Sequence, residues 1–294
     1  MLTNKKDIDA WCKAMGILNY LIYDDLNIKV FEDVDISNKK LTHLPVKFLE
    51  TTGNFNCSNN NLISLKNVPE IVGGIFNCSA NKLNSLEHSP QIVKSDFDCS
   101  QNKITSLEYI SNSVGGDLKI SNNPIKKIDY CPTIGYSLLC ANCELTSFDG
   151  FPKKIRGTLN CNENNIGSFD NCPTHIGLHF FLSCNPISSF KNAPQKIGGD
   201  FIFGFIDRNK QDLNKDKLIV DFDLSKINIS ESLIHNTTKK ENFISGFENF
   251  YSWKNKRAFL HLKTEQIKSI NLNSKLENEL VDINPVKKNK SHKI

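Results

Sequence analysis

Between Val34 and Phe203 the apolar and polar positions recur with a period of 21 residues. With the strand cysteine or its equivalent as the mark of each period, the phase runs through Ile36, Cys57, Cys78, Cys99, Ile120, Cys140, Cys161, Leu182 and Phe203. A single step, from Ile120 to Cys140, is 20 residues long. Three neighbouring periods are near copies: FNCSNNNLISLKNVPEIVGGI, FNCSANKLNSLEHSPQIVKSD and FDCSQNKITSLEYISNSVGGD. Self-similarity at a short fixed period predicts stacked coils, each too small to bury its own apolar face and each covered by the next.

One period can be read physically. The mark and the residue two before it, such as Cys57 and Phe55, fall on the same side of a short strand because side chains alternate. Leu62 and Leu65, Leu83 and Leu86, Ile104 and Leu107, Ile125 and Ile128, Leu145 and Phe148, Ile166 and Phe169, and Ile187 and Phe190 follow five and eight residues after the mark and fill the interior. Three residues after it stand Asn60, Asn81, Asn102, Asn123, Asn164 and Asn185, with Cys143 in the remaining place. A turn asparagine repeated in every coil can satisfy backbone groups that the bend would otherwise bury unpaired. A proline twelve after the mark (Pro69, Pro90, Pro132, Pro152, Pro173, Pro194), replaced once by Ser111, predicts a return leg that is extended or a short 3₁₀ turn. Val72, Val93, Val114, Ile155, Ile176 and Ile197 close the coils. Gly73-Gly74, Gly115-Gly116 and Gly198-Gly199 predict tight corners into the next strand.

The ends break the pattern. In residues 1–33, Ile8, Trp11, Cys12, Met15, Leu18 and Ile22 approximate one helical face, predicting a helical N-terminal cap over the open first coil, followed by extended chain. After Phe203 the phase is lost. Residues 204–284 predict a small mixed appendage, with Phe243, Phe247, Phe250 and Tyr251 at helical spacing. The basic stretch 285–294 predicts a disordered tail.

The pattern LxxLxLxxNxL across residues 34–203 resembles the leucine-rich repeat family. Its FxCSxNxLxSL…P…VGG form resembles a 21-residue subclass found in repeat proteins of large tailed bacteriophages and, more distantly, in the repeat segments of some bacterial type III effectors. The resemblance implies a leucine-rich repeat solenoid with a parallel β-sheet on its concave face and an extended or 3₁₀ convex side. It also implies a protein-binding scaffold, with a host factor as partner if the chain is phage-encoded. It carries over no catalytic residue. Cys143 at an asparagine position and Ser111 at a proline position depart from it.

Charge is uneven. Residues 204–294 hold 17 Lys and Arg against 12 Asp and Glu, a net of +5, so the whole-chain +4 arises there. Ten cysteines would suggest disulfides in a small secreted chain, but Cys57, Cys78, Cys99, Cys140 and Cys161 occupy the inward strand position, where stacked strands hold side chains parallel and ill-placed for bridging. The opening residues carry no long apolar run or small-residue cleavage site. A soluble, cytoplasmic, monomeric protein with no membrane contact is therefore expected.

Candidate chemistry is sparse. Cys140 and Cys143 form a lone CxxC that repeat phase already explains, with no second pair to complete a zinc site. Cys131 and Cys172 share a repeat position two coils apart. His43, His88, His175 and His179 occupy different positions, Asn-x-Ser/Thr sites such as those at Asn56, Asn77, Asn228 and Asn236 have meaning only in a secreted chain, and the glycine pairs lack a Lys-Ser/Thr continuation. No metal, cofactor or catalytic residue is expected.

The outward strand positions decide what the repeat sheet presents. Its first half is polar, including Asp96, Asp98 and Asp117. Its second half acquires Leu139, His179, Phe181 and Ile202, an apolar run of the kind that marks a contact site, filled either by a protein partner or by the chain's own C-terminal region. The favoured function is a non-catalytic protein-interaction scaffold. Two alternatives are a nucleic-acid-associated protein using the basic C-terminal region, which a net of +5 over that length makes too dilute to favour, and an effector-type enzyme with a catalytic unit after the repeats. The latter lacks a cysteine nucleophile, since the last cysteine is Cys184.

Overall fold

The computed structural model describes residues 1–187, 192–199 and 201–202. The expectations for Phe190, for the appendage 204–284 and for the tail 285–294 lie outside the described residues. The described chain is a parallel β-solenoid of about 8 turns.

Each coil contributes a two-residue strand made of the inward residue two before the mark and the outward residue next to it. Val34–Asp35, Phe55–Asn56, Phe76–Asn77, Phe97–Asp98, Leu118–Lys119, Leu138–Leu139, Leu159–Asn160, Phe180–Phe181 and Phe201–Ile202 pair in that order in one nine-stranded sheet. Equivalent residues sit side by side throughout, as in Phe55↔Phe76, and the short step is absorbed without a slip at Leu118↔Leu138. Register holds because a one-residue slip would turn every core side chain outward. Phe55, Phe76, Phe97, Leu118, Leu138, Leu159 and Phe180 are fully buried, and their neighbouring rings touch, with Phe55–Phe76 at 6.1 Å and Phe180–Phe201 at 5.1 Å between centroids.

The return leg takes the first of its two expected forms. It is extended, with no 3₁₀ turn among the described residues, and it forms a second parallel sheet of its own. Ile71–Val72, Ile92–Val93, Ser113–Val114 and Thr133–Ile134 continue a seven-stranded sheet that begins at the N-terminus, while Lys154–Ile155, His175–Ile176 and Lys196–Ile197 form a separate three-stranded sheet. Each pair ends on a β-branched residue, which favours the pleated conformation, and the period stacks the pairs as surely as it stacks the first strands. The break between the two groups falls after the coil that is one residue short. In the coils marked by Cys57, Cys78, Cys99, Cys140, Cys161 and Leu182, the residue ten after the mark takes a left-handed conformation (Asn67, His88, Tyr109, Gly150, Asn171, Asn192), and a bond such as Val68 N–H to Leu65 O closes the turn. Tyr130, the equivalent in the short coil, is not left-handed.

The corner glycines act by close approach and not by conformational freedom. None of Gly73, Gly74, Gly115, Gly116, Gly198 and Gly199 has a positive φ. A Cβ on Gly115 would lie 2.0 Å from Lys94 O, and one on Gly116 would lie 2.2 Å from an Asp96 carboxylate oxygen. At these two glycines the preceding coil leaves no room for a Cβ.

The turn asparagines bind consecutive coils together. The Asn102 amide donates to Cys78 O of the preceding coil and to Cys99 O and Ser100 O of its own, each at 3.1 Å, while its Oδ1 accepts the Leu83 N–H at 3.0 Å. Asn60, Asn81, Asn123, Asn164 and Asn185 each donate to three carbonyls in the same way and accept from the coil before. Cys143 lacks the acceptor. Its thiol donates weakly to Ile120 O at 3.3 Å, and the Ile125 N–H that an asparagine would have accepted turns to Asn123 O of its own coil, 2.8 Å away.

At the N-terminus a helix, α1 (Lys5–Ala14), is opened by Asn4, whose Oδ1 accepts the Asp7 N–H at 2.9 Å. It ends sooner than the apolar spacing predicts. Gly16 is left-handed at φ 79°, and the Ile17 N–H to Cys12 O and Gly16 N–H to Lys13 O bonds close a Schellman turn. Leu18 therefore lies exposed beyond the helix, and Ile22 belongs to a strand. Ile8 and Cys12 are buried, and the Trp11 ring meets Phe48 edge-on at 6.2 Å. A hairpin of β1 (Tyr20–Ile22) and β2 (Ile28–Val30) forms the end of the seven-stranded sheet, β2 pairing in parallel with Phe48–Thr51.

Candidate functional site

The outward side of the nine-stranded sheet carries two rows. The row next to the mark brings Asp35, Asn56, Asn77, Asp98, Lys119, Leu139, Asn160, Phe181 and Ile202 into cross-strand register. In its first half these side chains serve their own turns. Asn77 Oδ1 accepts from Ser79 N–H at 3.0 Å and from its hydroxyl at 2.7 Å, and Asp98 Oδ1 holds Ser100 in the same way.

The row three before the mark is a second inter-coil ladder. Asp33 accepts the Asn54 N–H, Asn54 the Ile75 N–H, Asp96 the Asp117 N–H, Asp117 the Ser137 N–H, and Ser137 the Thr158 N–H, at 2.7 to 3.1 Å. Each acceptor at Asp33, Asn54, Asp96 and Ser137 lies where a glycine of the next coil leaves room, at Gly53, Gly74, Gly116 and Gly157. The sequence shows this coupling in hindsight, since Ile75, which cannot accept, is followed 20 residues on by Ser95 and not by glycine. Asp96 also pairs with Lys119 at 2.8 Å across two coils. Burial pushes the Asp96 carboxyl upward, but the Lys119 ammonium and the Asp117 N–H outweigh it and hold the group below the usual carboxylate range.

The candidate contact residues thus divide into two groups. Asp96, Asp98 and Asp117 are half-buried and already hydrogen-bonded, whereas Leu139 and Phe181 are half-buried with no polar atom to satisfy. One strand, Leu159–Asn160, separates Leu139 from Phe181. The His179 ring stacks on Phe181 with centroids 5.8 Å apart and planes 21° apart. The Ile202 backbone pairs with Phe181 in the adjacent strand, and its side chain lies outside the described residues. The structure adds Tyr136 and Leu178, exposed at 47% and 36%, at the corner position that glycine fills in other coils. The Tyr136 ring lies over Gly157, its Cδ1 2.9 Å from where a Cβ would stand. The visible signal in the sequence was the loss of glycine at residues 136 and 178.

Cys12, Cys57, Cys78, Cys99, Cys131, Cys140, Cys143, Cys161 and Cys172 are free thiols. Burial pushes the Cys57 thiol up to about 12 and drives Cys78, Cys99 and Cys140 well above their ordinary value. Cys140 and Cys161, in neighbouring coils, face each other with sulfurs 3.3 Å apart, while Cys143 points to backbone carbonyls. Among the described residues no group of three or more His, Cys, Asp or Glu side chains could hold a metal ion, and no helix is long and apolar enough to cross a membrane.

No protein-family model, curated protein or solved structure matches the chain.

Proposed function

We propose that this chain is a non-catalytic scaffold of the leucine-rich repeat type, of the kind found in large tailed phages, that works in the cytoplasm and binds a protein partner through the outward face of its nine-stranded sheet. The observation that carries the reading is the set of Leu139, Phe181 and His179 with Tyr136 and Leu178, apolar and aromatic side chains in the second half of a face whose first half, Ile75 apart, is polar and self-bonded. Binding energy concentrates in aromatic anchors inside a polar rim, and the Asn and Asp side chains around this group supply such a rim. Nine strands about 4.8 Å apart give a face about 40 Å long, enough for an interface near 800 Å² per partner. The helix and N-terminal hairpin act as a cap that shields the first coil.

The test is affinity capture with the full chain and with Phe181→Asp, followed by a melting measurement on both. An open face predicts that the substitution removes a captured partner without changing the melting temperature. A face covered by the chain's own C-terminal residues predicts instead a lower melting temperature. If neither changes, the apolar group is not a contact, and the acidic half of the face around Asp96, Asp98 and Asp117 takes its place as the candidate.

A further inference from the structure

The outward side of the return leg has a different charge. Its two carboxylates among the described residues, Glu50 and Glu70, belong to the first coils, and both are bonded to lysines, Lys29 at 2.7 Å and Lys47 at 3.3 Å. In the last coils the sign reverses and the pairing stops. Lys154, His175 and Lys196 stand in direct cross-strand register on the three-stranded sheet, with Lys153 and Arg156 beside them. Lys153, Lys154, Arg156 and Lys196 are exposed and make no ion pair among the described residues. A fold that pairs its lysines at one end of a face and leaves them open at the other presents a site for negative charge.

From this we infer that the three-stranded sheet docks an acidic, extended peptide segment of a partner protein. The chain's own residues 204–294 do not fit, because their net charge is +5. A second copy fits poorly. Its in-phase acidic row is already engaged, with Asp129 bonded to Lys127 at 2.9 Å, Asp149 accepting from Asn171 at 2.6 Å and Asp170 from Asn192 at 2.7 Å. A nucleic-acid strand needs aromatic platforms between its basic contacts. Of the exposed aromatics nearest these coils, Tyr136 stands at the corner into the other sheet and Tyr130 is tied through its hydroxyl to Asn112, and neither belongs to the three strands that carry the row. An extended peptide meets the geometry. Its same-side carboxylates repeat about every 7 Å, and the row from Lys154 to Lys196 spans two strand steps, about 10 Å, so adjacent carboxylates reach both ends of it.

The experiment is fluorescence anisotropy of a labelled octaglutamate peptide with the full chain at low ionic strength. Binding is expected, weakening about tenfold in the double variant Lys154→Glu/Lys196→Glu and again on raising salt from about 20 to about 200 mM. Lys66→Glu, an exposed lysine on another side of the coil, is expected to leave it unchanged. Equal binding by the double variant would overturn the assignment. So would tighter binding of a length-matched oligothymidylate, or concentration-dependent self-association that the double variant abolishes.

Discussion

The most demanding test of the coil-to-coil bonding is Asn102→Ala. Four hydrogen bonds end on this side chain, but they are not equally replaceable. Cys78 O keeps the Asn81 amide, Cys99 O keeps the Asn123 amide, and Ser100 O keeps the Ala80 N–H, so no carbonyl is orphaned. The Leu83 N–H, on a fully buried residue, has no other acceptor. Orphaning one buried donor costs about 1–3 kcal/mol, and the three lost amide contacts add a fraction of about 1 kcal/mol each, so the expected loss is about 2–4 kcal/mol. Because a solenoid is held by nearest-neighbour interfaces, the damage should also uncouple the coils on either side. Urea unfolding followed by circular dichroism would show a lower midpoint and a broader or split transition. A midpoint shift equivalent to less than about 0.5 kcal/mol would refute the claim that these asparagines hold the stack, since that is the range of an ordinary surface substitution.

Three further outcomes follow from the same geometry. Cys143→Asn should be tolerated and should raise stability by about 1 kcal/mol, because it supplies an acceptor for the Ile125 N–H; a loss of folding in the same urea assay would show that the short coil has no room for it. Cys57, Cys78, Cys99 and Cys161 should label slowly with a thiol reagent in the folded protein and rapidly in denaturant, since burial raises each thiol above its ordinary pKa; fast labelling of all four when folded would contradict their inward phase. For Asp96 the native carboxyl is held below the unfolded one, so its extra stability is present above the ordinary carboxylate range and is lost as pH falls through the native value. Asp96→Asn keeps the backbone acceptor, as Asn54 does, and should lower the melting temperature slightly near neutral pH, with the gap closing below about pH 4; a gap constant down to that pH would argue against the Lys119 pair.

The sequence by itself determined the repeat: the period, the inward Phe and Cys columns, the turn asparagines and the short coil are all written in it, because every coil must solve the same packing problem and the solutions recur at the same place. What the tertiary structure decided are relations between coils. A residue's own period does not show that the Asp96 carboxylate will be used by the next coil's backbone, or that Gly116 is small because Asp96 leans over it. Nor does it show that the return legs pair into a second sheet that breaks after the short coil. The end of α1 at Gly16, and with it the exposure of Leu18, lay in hydrogen bonds that apolar spacing does not encode. The apolar group at Leu139 and Phe181 was legible as a departure from a polar row, whereas Tyr136 and Leu178 were added only once the structure showed them exposed at the corner position. The basic row of Lys154, His175 and Lys196 emerged last, because its meaning rests on register across strands 21 residues apart and on which lysines elsewhere have found a carboxylate.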